Sequence, residues 1–377
     1  MAETVEGLVP VFGLEARNVG RVTIGRGSLV HLSTILKDHR RQAASCGDDD
    51  RILFIVDDFF LCCPEAISVI QIGHRDRLEY VSTIEEPTTD GVDALVRSVV
   101  HSGFSNPAAI VGVGGGSALD TTKAVANLLT NGGLAAAYQG WDLVSDPAIY
   151  KIGVPTISGT GAEASRTCVM KNVDTGLKLG MNSEHSVFDR LILDPDLTGT
   201  VPRDQFFYTG MDTFCHCFES LSGRSRNALG DALSRQAIDL TREVFHSEDM
   251  MAGDERERLM VASYLGGSAI AVSHVGLVHP FSAGLSVVLG IHHGVANCIA
   301  LSALEDYYPV ERNELLEMAD HQAVTIPSGV CGGLSDDQFQ ALYEATIVHE
   351  KPLANALGDD FRKFLTLESV VSIFQRM

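Results

Sequence analysis

The amino-acid sequence predicts an α/β protein of two domains: an N-terminal domain with a parallel β-sheet (residues 1–198) and a C-terminal all-helical domain (residues 199–377). A chain of 377 residues, 45% of them hydrophobic, can bury two cores without disulfides or structural metals. Up to about residue 195, short apolar runs alternate with helical stretches. From about Pro202 the apolar residues recur with the period of a helix, and this change places the domain boundary.

The strands of the first domain are predicted from short apolar runs, each followed by glycine, proline or aspartate. Residues 51–56 and 108–113 have the composition of buried strands, and residues 149–154 and 191–193 form shorter candidates. A glycine turn and a helix over residues 117–129 follow the second run. Such runs are typical of a parallel sheet that is covered on both faces.

The helices of the second domain are predicted from apolar periodicity interrupted by segments rich in glycine, proline or serine. They cover residues 204–221, 229–245, 254–272, 312–323 and 336–347. Ligands of two-domain proteins usually bind between the domains, so we expect each domain to contribute functional groups to one cleft.

The charge of the chain argues against several classes of partner. With 28 basic and 49 acidic side chains, the formal net charge is -21, which disfavours binding to nucleic acids and to anionic membrane surfaces. Small anionic substrates remain possible, because a metal ion or a few buried cations can reverse the local charge. No apolar run is long enough to span a bilayer, and the first residues do not resemble a secretory signal, so we expect a soluble, cytoplasmic protein.

The eight cysteines include no CxxC pair. Neither a disulfide framework nor a zinc site made of cysteines is therefore predicted, and free thiols in a reducing compartment are the favoured interpretation.

Three consecutive glycines, Gly114, Gly115 and Gly116, stand between the second predicted strand and the helix that follows. Because they lack Cβ atoms, this turn can approach a pyrophosphate closely, and the first N–H groups of the helix can bind its oxygens. Ser117 occupies the position of the third glycine of the GxGxxG pattern, and no Walker lysine follows. A tight structural turn is an equally good explanation of this pattern on its own.

A second polar loop, residues 155–163, also follows a predicted strand and supplies the hydroxyl groups of Thr156, Ser158 and Thr160. Two such loops suit a long dinucleotide better than a single phosphate. Asp57, at the end of the first predicted strand, could bind a ribose diol, and its charge would oppose a 2'-phosphate, which favours NAD over NADP. The alternative is a solvated acidic residue in a loop.

Candidate metal ligands occur in two segments of the second domain. Asp212 and His216 are four residues apart in a predicted helix, so their side chains share one face. His279, His292 and His293 lie in a stretch that is otherwise apolar and small, where their ring nitrogens have no evident hydrogen-bond partners. One carboxylate with two or three imidazoles suits a catalytic zinc or iron ion. A surface hydrogen bond within the helix, and histidines bonded to backbone carbonyls, are the structural alternatives.

In this order, the motifs resemble the iron-dependent alcohol dehydrogenase family, which is related in fold to glycerol dehydrogenase and dehydroquinate synthase. The resemblance extends from about residue 25 to about residue 304. The motifs that carry it most specifically are GGGSALDTTK, PTISGTGAE, LDPDL, GMDTFCH, and His279 with His293 ahead of GVAN.

The resemblance implies an N-terminal Rossmann-like domain, a C-terminal helical domain and a homodimer that uses NAD and one Fe²⁺ or Zn²⁺ ion. The metal ligands that it implies are Asp212, His216, His279 and His293. The residues that it places at the NAD diphosphate are Gly114, Gly115, Gly116 and Ser117. Further cofactor contacts are implied for Asp57, Asp120, Thr156, Ser158, Thr160 and Lys178.

The sequence departs from the family at one functional position. Many members have a further histidine four residues after the third metal ligand, close to the nicotinamide and associated with proton relay, and here that position is Ala283. Solvent or His292 could take over the relay; alternatively, His292 has only a packing role.

A narrower likeness, carried by YQGWDLV and by the segment around GLKLGMNSEHSVFD, is to the branch that contains 3-deoxy-manno-octulosonate (Kdo) 8-oxidase. It implies oxidation of a primary alcohol of a sugar acid to an aldehyde. The carboxylate of such a substrate would need a cation, and Arg166, just after the second polar loop, is the candidate. A general aldehyde reductase, a sugar-phosphate cyclase like dehydroquinate synthase and a non-catalytic NAD-binding protein are the alternatives.

Overall fold

The computed structural model describes residues 16–84 and 86–377. They form two compact units. Residues 17–158 and 162–200 make up an α/β unit, and residues 201–377 with the short segment 159–161 make up a helical unit. The change of unit after residue 200 lies close to the predicted boundary, but the sequence pattern did not indicate that residues 159–161 pack with the helices.

The α/β unit contains a parallel sheet, as predicted. The described strands are β1 (Arg21–Ile24), β2 (Ile52–Asp57), β3 (Arg77–Val81), β4 (Ala109–Gly114), β5 (Gly140–Trp141), β6 (Lys151–Pro155), β7 (Thr167–Lys171), β8 (Lys178–Asn182) and β9 (Arg190–Leu193). Within the described residues, six of them form one sheet in the order β1-β9-β6-β4-β2-β3, and every adjacent pair in it is parallel.

The central strands are buried on both faces, which explains their continuous apolar sequences. Alternate residues of β2 enter different cores: Leu53 and Ile55 belong to one cluster, whereas Phe54 and Val56 belong to another. The helices α1 (Leu32–Cys46), α2 (Thr89–His101) and α3 (Gly116–Asn131) complete the unit's main elements. Only α3 was located from the sequence.

The order of the strands creates a switch point in the sheet. The chain runs from β2 outward to β3 and then returns to the opposite side of β2 as β4. The connections at the carboxyl ends of β2 and β4 therefore diverge and leave a crevice, which is where open α/β sheets bind ligands.

A small second sheet has the order β5-β8-β7 in the described part of the unit, with β7 and β8 antiparallel. The turn between them is held by Asn172, whose Oδ1 accepts hydrogen bonds from the backbone N–H groups of Asp174 and Thr175. This hairpin was not predicted.

The helical unit contains α4 (Arg203–Ser222), α5 (Ala228–Phe245), α6 (Gly253–Ile270), α7 (Val278–Leu289), α8 (His293–Ala303), α9 (Pro309–His321), α10 (Asp336–Ile347), α11 (Glu350–Leu357), α12 (Phe361–Phe364) and α13 (Leu367–Phe374). The five predicted helices are confirmed as α4, α5, α6, α9 and α10, whose ends lie within about three residues of those expected. Along the described chain, no helix has the length and apolarity that a membrane crossing requires.

The segment 159–161 packs against α4 and α6 through glycine contacts. A Cβ on Gly161 (φ +63°) would lie 2.6 Å from the Cα of Gly267 in α6. The hydroxyl of Thr213 in α4 donates to the carbonyl of Gly159 at 2.7 Å. Glycine is needed here because the backbones approach too closely for a side chain.

Candidate metal centre and dinucleotide site

Helix α4 carries the first pair of candidate metal ligands on one buried face. Asp212 and His216 are one turn apart, and the distance from Asp212 Oδ1 to His216 Nε2 is 3.3 Å. Both residues are almost inaccessible to solvent, at 1% and 5% exposure. The carboxylate and the imidazole are thus removed from water and face each other.

Two further imidazoles reach the same carboxylate oxygen from other helices. His279 is the second residue of α7, and its Nε2 lies 3.2 Å from Asp212 Oδ1. His293 is the first residue of α8, and its Nε2 lies 3.6 Å from the same atom. Donor atoms bound tetrahedrally to one zinc ion stand about 3.4 Å apart, so the spacing suits a shared cation. The possible ligand atoms of Asp212, His216 and His279 all lie within 4.8 Å of one another.

Burial and charge set the protonation of this cluster. Burial opposes ionisation of Asp212, but His216, His293 and His279 outweigh it and hold the pKa of the carboxyl well below its ordinary value. Burial lowers the pKa of His216 to about 3. Burial also acts to lower the pKa of His279, but the charges of Glu219 and Asp212 dominate and raise it to about 9. Without a cation, the cluster therefore holds an anionic Asp212, a neutral His216 and a protonated His279.

The outer nitrogens of the rings differ in their partners. Nδ1 of His279 lies 2.5 Å from Oε2 of Glu219. In contrast, the buried Nδ1 atoms of His216 and His293 have no hydrogen-bond partner within the described part of the chain. The expectation that the imidazoles lack hydrogen-bond partners is therefore wrong for His279, since Glu219 reaches it from α4.

Asn297 completes the surroundings of the carboxylate. It lies one turn after His293 in α8, and its Nδ2 donates to Asp212 Oδ1 at 2.7 Å. The same nitrogen is 3.4 Å from His293 Nε2. Asn297 therefore orients Asp212 toward the imidazoles.

The glycine loop and Asp57 meet at the switch point of the parallel sheet. Gly114 ends β4 with φ +153°, and a Cβ there would lie 2.9 Å from the Cβ of Asp57 and 2.6 Å from that of Ala118. Gly115 precedes α3, which begins at Gly116, and the helix continues with Ser117. The N–H groups in the first turn of α3 thus lie close to the side chain of Asp57, an arrangement in which the helix start could bind a phosphate and the carboxylate a ribose.

Asp57 has a fixed orientation. Its Oδ1 accepts hydrogen bonds from the backbone N–H of Phe59 and from the Thr83 hydroxyl, both at 3.0 Å.

The second polar loop begins at the adjacent end of β6, where the N–H of Thr156 donates to the carbonyl of Gly114 at 3.0 Å. The hydroxyl of Ser158 is buried and has no hydrogen-bond partner in the part of the chain described. This loop therefore contains a polar group that a ligand could satisfy.

Four other residues that were predicted to contact the cofactor or the substrate lie outside the glycine loop and have protein partners or neighbours of their own. Asp120 accepts a hydrogen bond from the N–H of Val169 at 2.9 Å, and burial raises the pKa of its carboxyl. Lys178 pairs with Glu86 at 2.5 Å. Arg166 pairs with Asp142, which has φ +57°. Thr160 lies in the segment that packs with the helical unit. The charges of Asp120, Lys178 and Arg166 thus already have partners inside the α/β unit.

Family models match both units. The model described as iron-containing alcohol dehydrogenase matches residues 20–195, and the model for the C-terminal part of the Fe-containing alcohol dehydrogenase family matches residues 206–336. The chain belongs to the iron-containing alcohol dehydrogenase family. The predicted family and fold class are therefore confirmed.

Several members of the family are similar to this chain, each over a different number of residues. Sulfoacetaldehyde reductase of Bilophila wadsworthia is 35% identical over 221 residues, which are 58% of this chain, and the chain spans 56% of that reductase. NAD-dependent methanol dehydrogenase of Bacillus methanolicus is 29% identical over 286 residues, covering 73% of this chain and 71% of that enzyme. The crystal structure of sulfoacetaldehyde reductase from Bifidobacterium kashiwanohense with NAD⁺ superposes with a TM-score of 0.77 at 19% identity, covering 97% and 98% of the chains.

Two polar neighbours of the candidate ligands were not predicted from the sequence. Glu219 lies seven residues after Asp212, a spacing that returns to the same face of a helix, so extending the i, i+4 search by one turn would have found it. Asn297 could have been found in the same way from His293. His292 precedes α8 and is exposed, while Ala283 is buried in α7.

Proposed function

We propose that the protein is a metal-dependent, NAD-linked dehydrogenase that interconverts a primary alcohol and an aldehyde. The observation that carries this proposal is the convergence of three imidazole nitrogens on one oxygen of buried Asp212, at 3.2 to 3.6 Å. Membership of the alcohol dehydrogenase family supports the same chemistry.

The residues present fit a divalent metal ion. Asp212, His216, His279 and His293 would hold it, and their oxygen and nitrogen donors accept either Fe²⁺ or Zn²⁺. Such an ion acts as a Lewis acid on the substrate oxygen and favours the alkoxide. Asn297 keeps the Asp212 carboxylate in place, and the burial of Asp212 and His216 limits the access of water to these two ligands.

The residues at the switch point of the sheet would bind NAD. Gly114, Gly115, Gly116 and Ser117 would contact the diphosphate, and Asp57 the adenosine ribose, where its charge disfavours the 2'-phosphate of NADP. Further contacts are proposed for Thr156, Ser158, Thr160, Asp120 and Lys178. The last two already bind protein groups, so they would support the loops as well as the cofactor. The NAD⁺ complex of the Bifidobacterium reductase supports the choice of cofactor.

The proposed substrate is a small polyol or a sugar acid with a primary alcohol, and Kdo oxidised at C8 is the specific candidate. The similarity to sulfoacetaldehyde reductase favours a substrate with an acidic group at the end opposite the reacting carbon. Arg166 would have to exchange Asp142 for that acidic group.

Proton transfer is proposed to involve His292 or solvent, since Ala283 cannot relay a proton. His292 is exposed next to the candidate ligand His293, a position from which a solvent-facing imidazole can exchange protons with water. Loss of the imidazole in His292→Ala should change the pH profile of kcat; an unchanged profile would assign the relay to solvent.

The assembly is proposed to be a homodimer. In the described sheet, β1 is an edge strand with Val22 and Ile24 exposed at 36% and 47%, and covering an apolar edge favours association. Light scattering should give twice the chain mass of 40.5 kDa.

A substrate panel tests the proposed activity. Protein reconstituted with Fe²⁺ or Zn²⁺ is assayed by NADH absorbance with Kdo, sulfoacetaldehyde, a hydroxy acid, simple alcohols and simple aldehydes. We expect turnover that needs the metal and is fastest with an acidic substrate. A preference for simple aldehydes would favour a general aldehyde reductase, and metal and NAD binding without any turnover would contradict the proposal.

A further inference from the structure

Glu219 is a buried acidic residue for which the proposed reaction has no direct use. It lies on α4, one turn beyond His216, and its side chain is 0% exposed. Burying a carboxylate is costly unless hydrogen bonds and opposite charges compensate it. The partners of its two oxygens should therefore reveal its role.

Both oxygens bind the start of helix α7. Oε1 accepts a hydrogen bond from the backbone N–H of Val278 at 2.6 Å, and Oε2 contacts Nδ1 of His279 at 2.5 Å. The N–H groups in the first turn of a helix have no partner within the helix, and its positive end attracts an anion. The preceding N–H, that of Leu277, is bound separately by the hydroxyl of Tyr308 at 3.3 Å.

The contact with His279 determines which ring nitrogen carries the proton. An ionised carboxylate can only accept hydrogen bonds, so Nδ1 of His279 must be the donor. The neutral ring then has its lone pair on Nε2, which lies 3.2 Å from Asp212 Oδ1. That is the nitrogen on the side of the candidate metal centre.

The arrangement is specific to one of the three imidazoles. Over the described residues, Nδ1 of His216 and Nδ1 of His293 have no hydrogen-bond partner. If Glu219 served only to add negative charge near the centre, direct contact with one ring nitrogen would not be needed. Glu219 instead ties the orientation of His279 to the position of α7.

We propose that Glu219 is a positioning residue that holds His279 as the Nδ1–H tautomer, with Nε2 directed at the metal. As far as the metal is concerned, the inference rests on the proposed function. Carboxylates that bind the outer nitrogen of a ligating histidine fix its orientation and increase its basicity, and their loss typically lowers metal affinity about 10- to 100-fold.

Glu219→Gln tests the proposal with a side chain of almost the same shape. If the amide oxygen accepts from Val278, the NH₂ group faces Nδ1 of His279 and forces its proton to Nε2, where it blocks coordination. If the amide is reversed, its NH₂ group opposes the N–H of Val278. We expect a Zn²⁺ affinity about 10- to 100-fold lower, measured by competition with a chromophoric chelator.

Tyr308→Phe is the matched control. It removes the hydrogen bond to Leu277 in the same turn of chain but leaves His279 and Glu219 in contact. We expect its Zn²⁺ affinity to equal that of the unmodified protein. If both variants lose affinity equally, the effect is a general loosening of α7 and the proposal is wrong.

The tautomer is read directly by NMR of protein labelled with ¹⁵N-histidine, with and without Zn²⁺. The unmodified protein should show a slowly exchanging, strongly downfield Nδ1–H proton for His279, which Glu219→Gln should lose. A proton on Nε2 of His279 in the unmodified zinc form would overturn the proposal, even if the variant does not fold. Absence of Zn²⁺ binding by the unmodified protein would instead refute the proposed function. The Nδ1–H signal of the metal-free protein would still test the contact between Glu219 and His279, since that signal should persist in Tyr308→Phe and disappear in Glu219→Gln.

Discussion

At the scale of single residues, the buried charges have identifiable partners that explain their chemistry. Asp212 is surrounded by imidazoles, whereas Lys151 is 1% exposed at the start of β6. The Nζ of Lys151 donates to the carbonyl of His185 at 2.8 Å and lies 3.7 Å from Asp189. Burial of Lys151 outweighs the attraction of Asp189 and lowers the pKa of its ammonium to about 8. The folded protein therefore bears a cost for this charge at neutral pH.

The stability of Lys151→Met relative to the unmodified protein should depend on pH because of this buried charge. Below about pH 8 the lysine is protonated in both the folded and the unfolded state, so the folded state bears the full penalty. Between pH 8 and 10.5 only the unfolded chain keeps the proton, and the stability of the unmodified protein gains up to about 3 kcal/mol from this group. The melting temperature of the variant relative to the unmodified protein should thus fall from pH 7 to pH 10. The exposed Lys171→Met is the control, and a constant difference for Lys151→Met would contradict the assignment.

Gly114→Ala should destabilise the protein because its methyl group would collide with Asp57 and Ala118. The φ of +153° adds strain for any residue with a Cβ. Together we expect a loss of about 1–3 kcal/mol, seen as a lower melting temperature in calorimetry. In Gly115→Ala the nearest atom to the new methyl, Cδ1 of Ile157, is 3.4 Å away, so its melting temperature should change little. Equal effects of the two substitutions would disprove the steric explanation.

The residues of the candidate site differ in how far the sequence predicts them. Asp212 and His216 share a helical turn, so local spacing suffices to pair them. The contact of Glu219 with His279 spans 60 positions and depends on how α7 packs against α4. The environments of Asp120 and Lys178 likewise depend on Val169 and Glu86, which no local pattern connects to them.

At the scale of elements, the close contact between the segment 159–161 and α6 should be sensitive to one methyl group. A Cβ on Gly267 would collide with the carbonyl oxygen of Gly161. Gly267→Ala should therefore lower the melting temperature, despite the better helix propensity of alanine. In Gly230→Ala, within α5, the new methyl would meet no atom closer than 3.4 Å, so we expect equal or greater stability. If Gly267→Ala melts no lower than Gly230→Ala, the backbone contact is not tight.

Elements with a clear period were predictable, and the others were not. β2 and β4 are continuous apolar runs apart from Asp57 at the end of β2, and β6 is a short apolar run after Lys151. α4, α5 and α6 have helical periodicity. α7 and α8 were not predicted because residues 278–303 are largely apolar and small, which erases the contrast between faces. β7 was not predicted because its residues alternate between buried and partly buried side chains, and this alternation arises from the pairing of β7 with β8.

At the scale of the whole molecule, the net charge of -21 should affect substrate binding. An anionic substrate is repelled at a distance by an acidic protein, and salt screens that repulsion. With saturating NAD, kcat/KM for an acidic substrate should rise with ionic strength, whereas kcat/KM for a neutral alcohol should not. The same salt response for both substrates would show that the net charge does not influence their approach.

The most direct test of the central claim is metal content. The protein is loaded anaerobically with Fe²⁺ or Zn²⁺, desalted and analysed by mass spectrometry of the elements. We expect one ion per chain in the unmodified protein and in the exposed-residue control His246→Ala, and almost none in Asp212→Ala or His216→Ala. Equal metal content in all four proteins would contradict a centre built on Asp212 and the converging histidines.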